Sequence, residues 1–298
     1  MLKFRPVHAE DFETAAPIMK ATGYNSTESS FVILYTWSGL YNGEVCIDGD
    51  TVFIRSRGEK GVSYLPPLGG DMKSALLKIA EAEKNAGEIH FHSVTDRMRE
   101  KLEEVFPGEF EYTERRKSFD YIYLTEELAT LSGKKFHQKR NHVNKFLKRY
   151  EGRFEYNNMT EADIPEVLNF QNKWISMASE KEGQEALRYE TTAIEKLLYH
   201  FDRFDLRGGV LRVDGNICAY CIGAKISGDT VDVMVEKGDY AYDGVYQAIN
   251  KLFAENNCGD VLYINREEDM GIEGLRRAKL SYCPTVLLRK YGAVWKRK

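Results

Sequence analysis

Two stretches of the chain concentrate side chains that could do chemistry. The first is "TVDVMVEKG", residues 230–238. Its alternation predicts a strand with Asp232, Met234 and Glu236 on one face and Val231, Val233 and Val235 on the other. The valine face is expected to be buried. Asp232 and Glu236 are therefore the candidate catalytic residues: a carboxylate held rigidly on a strand can accept a proton from an attacking amine or hydroxyl, or bind a substrate ammonium. An ion pair with Lys225 or Lys237 is the structural alternative. The second stretch is "YINREEDMGIEGLRRAKLSYCP", residues 263–284. A strand is expected to end at about Asn265, followed by Arg266, Glu267, Glu268 and Asp269 and then a helix carrying Arg276, Arg277 and Lys279 up to Pro284. Strand ends hold polar groups rigidly while the following loop exposes them, which makes Asn265 a substrate-binding candidate. Arg276 and Lys279 are candidates for anionic groups. The same charge order also complements a helix dipole without any ligand.

A third stretch, "GKKFHQKRNHVNKFLKRY" (133–150), carries seven Lys/Arg and no acid in a chain of net charge −4. Helical spacing gathers Phe136, Val143, Phe146, Leu147 and Tyr150 into one stripe. The stripe predicts a helix docked on the protein, with Lys145, Lys148 and Arg149 toward water. Lys139 and Arg140 fall at the stripe's edges, where apolar stems can lie on the protein while charged ends face a cleft. Together with Lys134, Lys135 and His137 they are candidates for phosphate binding; a solvated amphipathic helix is the alternative. The stripe keeps the aromatics on the docking face, so base stacking by this helix is not expected.

Other signals are weaker. Cys218 and Cys221 form a CxxC inside a strand-like run, where residues three apart point to opposite faces, so two buried thiols are expected and no metal site. His90 and His92 share a strand face without a third ligand nearby. No apolar run approaches membrane-span length, and the N-terminus has acids where a signal peptide needs an apolar core, so a cytoplasmic protein without disulfides is expected. Peripheral membrane contact stays open.

The elements that must position these residues repeat. "LKFRPVHAEDFETAAPI" (2–18) matches "FEYNNMTEADIPEVLNF" (154–170), with Asp11 and Asp163 both placed at a helix start. "VCIDGDTVFIRS" (45–56) matches "VLRVDGNICAYCIG" (210–223), each a strand, an Asp-Gly turn and a strand. Residues 66–94 match 240–266: a Gly-containing loop, an amphipathic helix, a Gly stop and a strand. A helix and a final strand follow in each half, "FDYIYL" (119–124) and "PTVLLRKYGAVW" (284–295). The expected fold class is α/β (mixed α+β), two tandem domains, each a mixed, mainly antiparallel sheet flanked by helices. The expected boundaries are 1–132, a basic junction helix at 133–151, and 152–298.

This order resembles the GNAT acyltransferase fold present twice, an arrangement that also occurs in aminoacyl-tRNA-dependent transferases. The second half resembles the soluble catalytic domain of the phosphatidylglycerol lysyltransferases. It is still more similar to an uncharacterised bacterial family related to that domain. The residues that carry the likeness are "NKWISMASEKEG" with Trp174, Glu180, Lys181 and Gly183, the strand Asp232-Val233-Met234-Val235, the loop Gly244-Val245-Tyr246-Gln247, and the segment from Gly274-Leu275 through Lys279 to Pro284. The resemblance implies a substrate-binding role for Trp174 and a cofactor-binding role for Gly244. Two features depart from the pattern. Val235 stands where the family has a strand arginine important for catalysis. The loop "VEKGDYAYDGVYQ" lacks the tight glycine spacing that cradles a pyrophosphate in acetyl-CoA enzymes. The resemblance implies an acyl- or aminoacyltransferase with no tightly bound cofactor, using aminoacyl-tRNA or acyl-CoA as co-substrate and tRNA or an anionic small molecule as donor. The alternatives are an acetyl-CoA-dependent N-acetyltransferase and a non-catalytic binding protein that retains the fold.

Overall fold

A computed structural model describes residues 1–58, 61–178 and 184–297. The first half contains β1 (Arg5–Pro6), α1 (Phe12–Ala21), α2 (Phe31–Tyr41), β2 (Gly43–Asp48), β3 (Thr51–Gly58), β4 (Gly61–Tyr64), β5 (Leu68–Gly69), α3 (Met72–Ala82), β6 (Ile89–Thr95), α4 (Asp96–Val105), β7 (Phe110–Glu114), β8 (Asp120–Leu124) and α5 (Thr125–Thr130). The basic segment forms α6 (His137–Arg149). The second half contains β9 (Phe154–Asn158), α7 (Ile164–Ala178), α8 (Gln184–Tyr199), β10 (Leu206–Val213), β11 (Asn216–Lys225), β12 (Thr230–Gly238), α9 (Val245–Asn257), β13 (Tyr263–Asn265), α10 (Glu273–Leu280), β14 (Val286–Leu288) and β15 (Lys290–Trp295).

These strands build two mixed, mostly antiparallel sheets flanked by helices. One runs β1-β2-β3-β4-β6-β15-β7, with β5 beside β3; the other runs β9-β10-β11-β12-β13-β8-β14. The duplication is thus visible position by position, and each sheet has one parallel pair, β4 with β6 and β12 with β13. Sheet membership does not follow the expected boundaries at 132 and 152. The final strand of each half crosses to the other half's sheet: β8 lies between β13 and β14, and β15 between β6 and β7. A sequence repeat does not reveal this exchange, because either strand satisfies the same local pattern in either place.

The helix starts follow the expected capping logic with a shift of one element. Asp11 and Asp163 each close a short 3₁₀ turn that leads into the helix, accepting from the backbone N–H of His8 and Thr160 at 2.9 Å. Helix α6 docks as its stripe predicts, with Phe136, Val143, Phe146 and Tyr150 buried against α9 and the second sheet.

Two β-bulges change which side chains share a face. In β11 the pairing slips opposite Cys218, so Cys218 and Cys221 both enter the same apolar core, contrary to the expected opposite faces. Both remain free thiols, and burial pushes Cys218 up to about 12 and Cys221 well above the ordinary range. In β12 the slip falls at Met234, where Ile222 pairs with Val235 and Gly223 with Val233. Val231 and Val233 therefore face the α9 side, while Val235 faces the core shared with the first half. Gly223 is required beside this bulge: a Cβ there would stand 2.7 Å from the Asp232 carbonyl oxygen.

Candidate functional site

The bulge at Met234 separates the two candidate catalytic carboxylates. Asp232 and Glu236 were expected on one face; they lie on opposite faces of the second sheet. Glu236 points to the α9 side, where both its oxygens accept from Arg266 Nη2 at 2.9 and 3.1 Å and Oε2 accepts from Asn250 Nδ2 at 3.0 Å. Asp232 points toward the first half. Neither pairs with Lys225 or Lys237, which bind Asp260 and Glu190 instead.

Asp232 is fully buried. Its Oδ1 accepts from Thr27 Oγ1 at 3.3 Å, and its Oδ2 is buried without a hydrogen-bond partner. Thr27 belongs to the loop between α1 and α2, so residues of the first half reach into the second sheet. The same loop holds Asp120, whose Oδ2 accepts from Thr27 N at 3.1 Å and Asn265 Nδ2 at 3.0 Å. Asn265 also donates to Asn25 O at 2.8 Å and accepts from Glu267 N at 2.7 Å. The strand end expected at Asn265 is thus where β13 stops, and Asn265 ties both halves to the following loop.

The strand exchange meets in this cluster. Asp120 opens β8 and Lys290 opens β15, equivalent places in the two halves. Their fully buried side chains pair at 2.7 Å, and Lys290 also contacts Glu28 at 2.5 Å. The sequence reading named none of Thr27, Glu28, Asp120 and Lys290. Two were detectable in principle: Asp120 in "FDYIYL" and Lys290 in "RKYGAVW" are charges inside apolar strands, and such a charge requires a partner.

Electrostatically the cluster is acidic. Asp120, Asp232, Glu28 and Glu268 lie around Lys290, and Glu267 lies beside Asp232, Glu268 and Lys279. Burial, and then Asp120, raise the Asp232 carboxyl well above the carboxylate range. Burial and Asp232 do the same to Glu267, and burial raises Glu268 and Asp120. Burial works against the Glu28 carboxylate too, but the Lys290 ammonium brings it below its ordinary value. Among the described residues no group of His, Cys, Asp and Glu is arranged to hold a metal ion.

The other candidates fall in three places. Arg276 and Lys279 hold the loop after β13. Arg276 binds both oxygens of Asp269 at 2.9 and 3.0 Å, and Asp269 also receives Arg116 and the Tyr121 hydroxyl. Lys279 Nζ donates to the carbonyls of Arg266 and Glu268. Arg140 is similarly engaged, donating to the carbonyls of Leu131 and Gly133 where α5 ends. Lys139 stays at the edge of the docking stripe, its Nζ 4.2 Å from the centre of the Tyr282 ring, and burial followed by Arg266 lowers its pKa. Of the remaining cations, Lys135 pairs with Glu127 and Lys145 with Asp243, while Lys134 and His137 are exposed. Trp174 is buried on the Asp232 side of the sheet, where Lys237 Nζ stands 3.8 Å over its ring and its Nε1 donates to Tyr246 Oη at 3.2 Å. Glu180, Lys181 and Gly183 lie outside the described residues.

Gly244 is the N-cap of α9 and has φ +86°. A Cβ there would lie 2.5 Å from the His142 carbonyl oxygen of α6. The glycine permits α6 and the start of α9 to touch.

Comparison with known proteins places the chain. A family described as "Phosphatidylglycerol lysyltransferase, C-terminal" matches residues 21–294. The crystal structure of a conserved protein of unknown function from Bacteroides thetaiotaomicron VPI-5482 is 37% identical, with a TM-score of 0.92 over 99% of this chain and 100% of that one. The structure of L-PGS from Bacillus licheniformis is 14% identical, with a TM-score of 0.66 over 96% of this chain and 92% of that one, a likeness of fold. The uncharacterized protein MYCGA3080 of Mycoplasmoides gallisepticum is 27% identical over 175 residues, and the match spans 55% of that relative's length. No helix among the described residues is long and apolar enough to cross a membrane. The chain belongs to the phosphatidylglycerol lysyltransferase C-terminal family.

Proposed function

We propose that the chain is an acyltransferase that moves an activated acyl group, an aminoacyl group from tRNA, onto an amine or hydroxyl acceptor at the Asp232 cluster. The observation that carries this reading is Asp232 itself: fully buried, one oxygen unpartnered, at the last pair of the β12–β13 ladder and facing an acidic group drawn from both halves. A carboxyl oxygen without a hydrogen-bond partner suits an ammonium or a hydroxyl proton. Burial, and then Asp120, raise the Asp232 carboxyl well above its ordinary value, and a carboxylate so raised is a stronger base than an ordinary one. In the reaction the acceptor nitrogen or oxygen attacks the ester carbonyl and gives its proton to Asp232. The tetrahedral intermediate then expels the sugar oxygen, which takes back from Asp232 the proton that the acceptor gave up. Alignment supplies much of the rate, since such a transfer needs no covalent enzyme intermediate. Family membership supports the reaction class, and two mixed, mostly antiparallel sheets flanked by helices are consistent with it.

Acetyl-CoA as donor is disfavoured by the loop "VEKGDYAYDGVYQ", which lacks the tight glycine spacing that cradles a pyrophosphate. The test is transfer of labelled aminoacyl groups from charged tRNA to a panel of amines and alcohols by the purified full chain. Asp232→Asn is expected to lower the rate by about 10²-fold or more. Stabilisation by CoA but not by charged tRNA would move the donor assignment to acyl-CoA. Folded protein that transfers from neither donor would leave the binding-protein alternative.

A further inference from the structure

A second polar group lies across the sheet from Asp232. Arg266, the first residue after β13, reaches to Glu236 of β12 just beyond the last pair of the β12–β13 ladder. That bond uses Nη2 alone; Nη1 is buried and has no acceptor. Asn250 completes the pairing of Glu236 through Nδ2. Lys139 arrives from α6 and forms no ion pair among the described residues; its Nζ lies 4.2 Å from the centre of the Tyr282 ring, and Arg266 Cζ lies 4.9 Å from the same centre.

Two cations are therefore gathered on one tyrosine beside a single carboxylate that Arg266 and Asn250 already engage. The ring face offsets part of the positive charge, and such contacts are worth only about 0.5–2 kcal/mol. Half-buried like charges repel and lose solvation, so an arrangement of this kind calls for a counter-anion. Guanidinium and ammonium together suit an oxyanion, the first by its planar fork and the second as a point charge. We infer that Lys139 and Arg266, drawn together over Tyr282, form a receptor for a phosphate or carboxylate oxyanion. This goes beyond the proposed transfer reaction and needs none of the Asp232 cluster.

The test is calorimetric titration of the full chain with sodium phosphate, and separately sodium acetate, against sodium chloride at matched ionic strength. Phosphate or acetate is expected to bind where chloride does not, and the stronger of the two assigns the oxyanion class. Lys139→Met keeps the apolar stem over Tyr282 and is expected to weaken binding by about fivefold or more. Lys139→Arg is expected to retain it, which guards against a folding defect in the first variant. Lys148→Met, removing an exposed cation of the same helix, is expected to stay within about twofold. Wild-type binding no stronger than chloride, or equal weakening by Lys139→Met and Lys148→Met, overturns the proposal. Because the readout is binding, oxyanion affinity without transfer activity would sink the transferase reading and leave this site standing.

Discussion

Replacing Lys290 by Met tests the junction of the exchanged strands. Lys290 is fully buried, pairs with Asp120 at 2.7 Å and Glu28 at 2.5 Å, and is the cation on which both carboxylates depend. Methionine keeps the length of the side chain and removes its charge. Breaking a buried pair by deleting one partner costs about 3–5 kcal/mol, because the other charge stays behind unpaired. For a chain of 298 residues the entropy of unfolding is on the order of 0.6 kcal/mol/K, so the loss appears as a fall in Tm of roughly 5–8 °C. Without the ammonium the folded pKa of Asp120, already raised by burial, rises further, and Glu28 loses the cation that holds it below its ordinary value while burial still pushes it up. The folded state then binds protons more tightly than the unfolded one, so the variant loses stability as pH rises through the carboxylate range and recovers as pH falls. Scanning calorimetry at about pH 7 and about pH 5 should show a deficit that shrinks at the lower pH. Adding Asp120→Asn should recover a substantial part of the loss at pH 7, since it removes one stranded charge. A Tm within about 1 °C of wild type at pH 7, or a double variant whose losses simply add, would refute the claim that this pair staples the exchange.

Asp232→Asn should flatten the pH dependence of stability. The wild-type Asp232 carboxyl is raised in the folded state, so stability falls as pH rises above about 4, by up to about 1.4 kcal/mol per pH unit; urea midpoints across that range should fall less steeply in the variant. Gly244→Ala should cost roughly 2–4 kcal/mol in denaturant unfolding, combining a left-handed φ with a clash against the His142 carbonyl. A loss below about 1 kcal/mol would show that α6 yields easily and that the start of α9 can open. Lys279→Met should cost about 1–3 kcal/mol by releasing the carbonyls of Arg266 and Glu268, with faster hydrogen exchange at 266–271 than elsewhere as the specific readout.

Local pattern carried much of this protein. The paired capping aspartates, the Asp-Gly hairpins and the helices with their Gly stops made the duplication legible, because each depends on residues close in sequence. The apolar stripe of α6 was legible for the same reason: helix geometry alone decides which side chains share a face. Three things were decided elsewhere. Strand exchange depends on pairing between residues as far apart as Trp295 and Ile89, and either sheet would have accepted either strand by pattern. The faces of Asp232 and Glu236 depended on the bulge at Met234, since one extra residue reverses the alternation beyond it. The roles of Arg140, Arg276 and Lys279 depended on which carbonyls and carboxylates the fold brought within reach. Side-chain chemistry named the cations, but only the assembled chain determined that these three hold backbone and loop while Lys139 and Arg266 lack a full complement of partners. The physical reason is range: propensity and periodicity act over a few residues, whereas burial and charge compensation are properties of the whole packed interior.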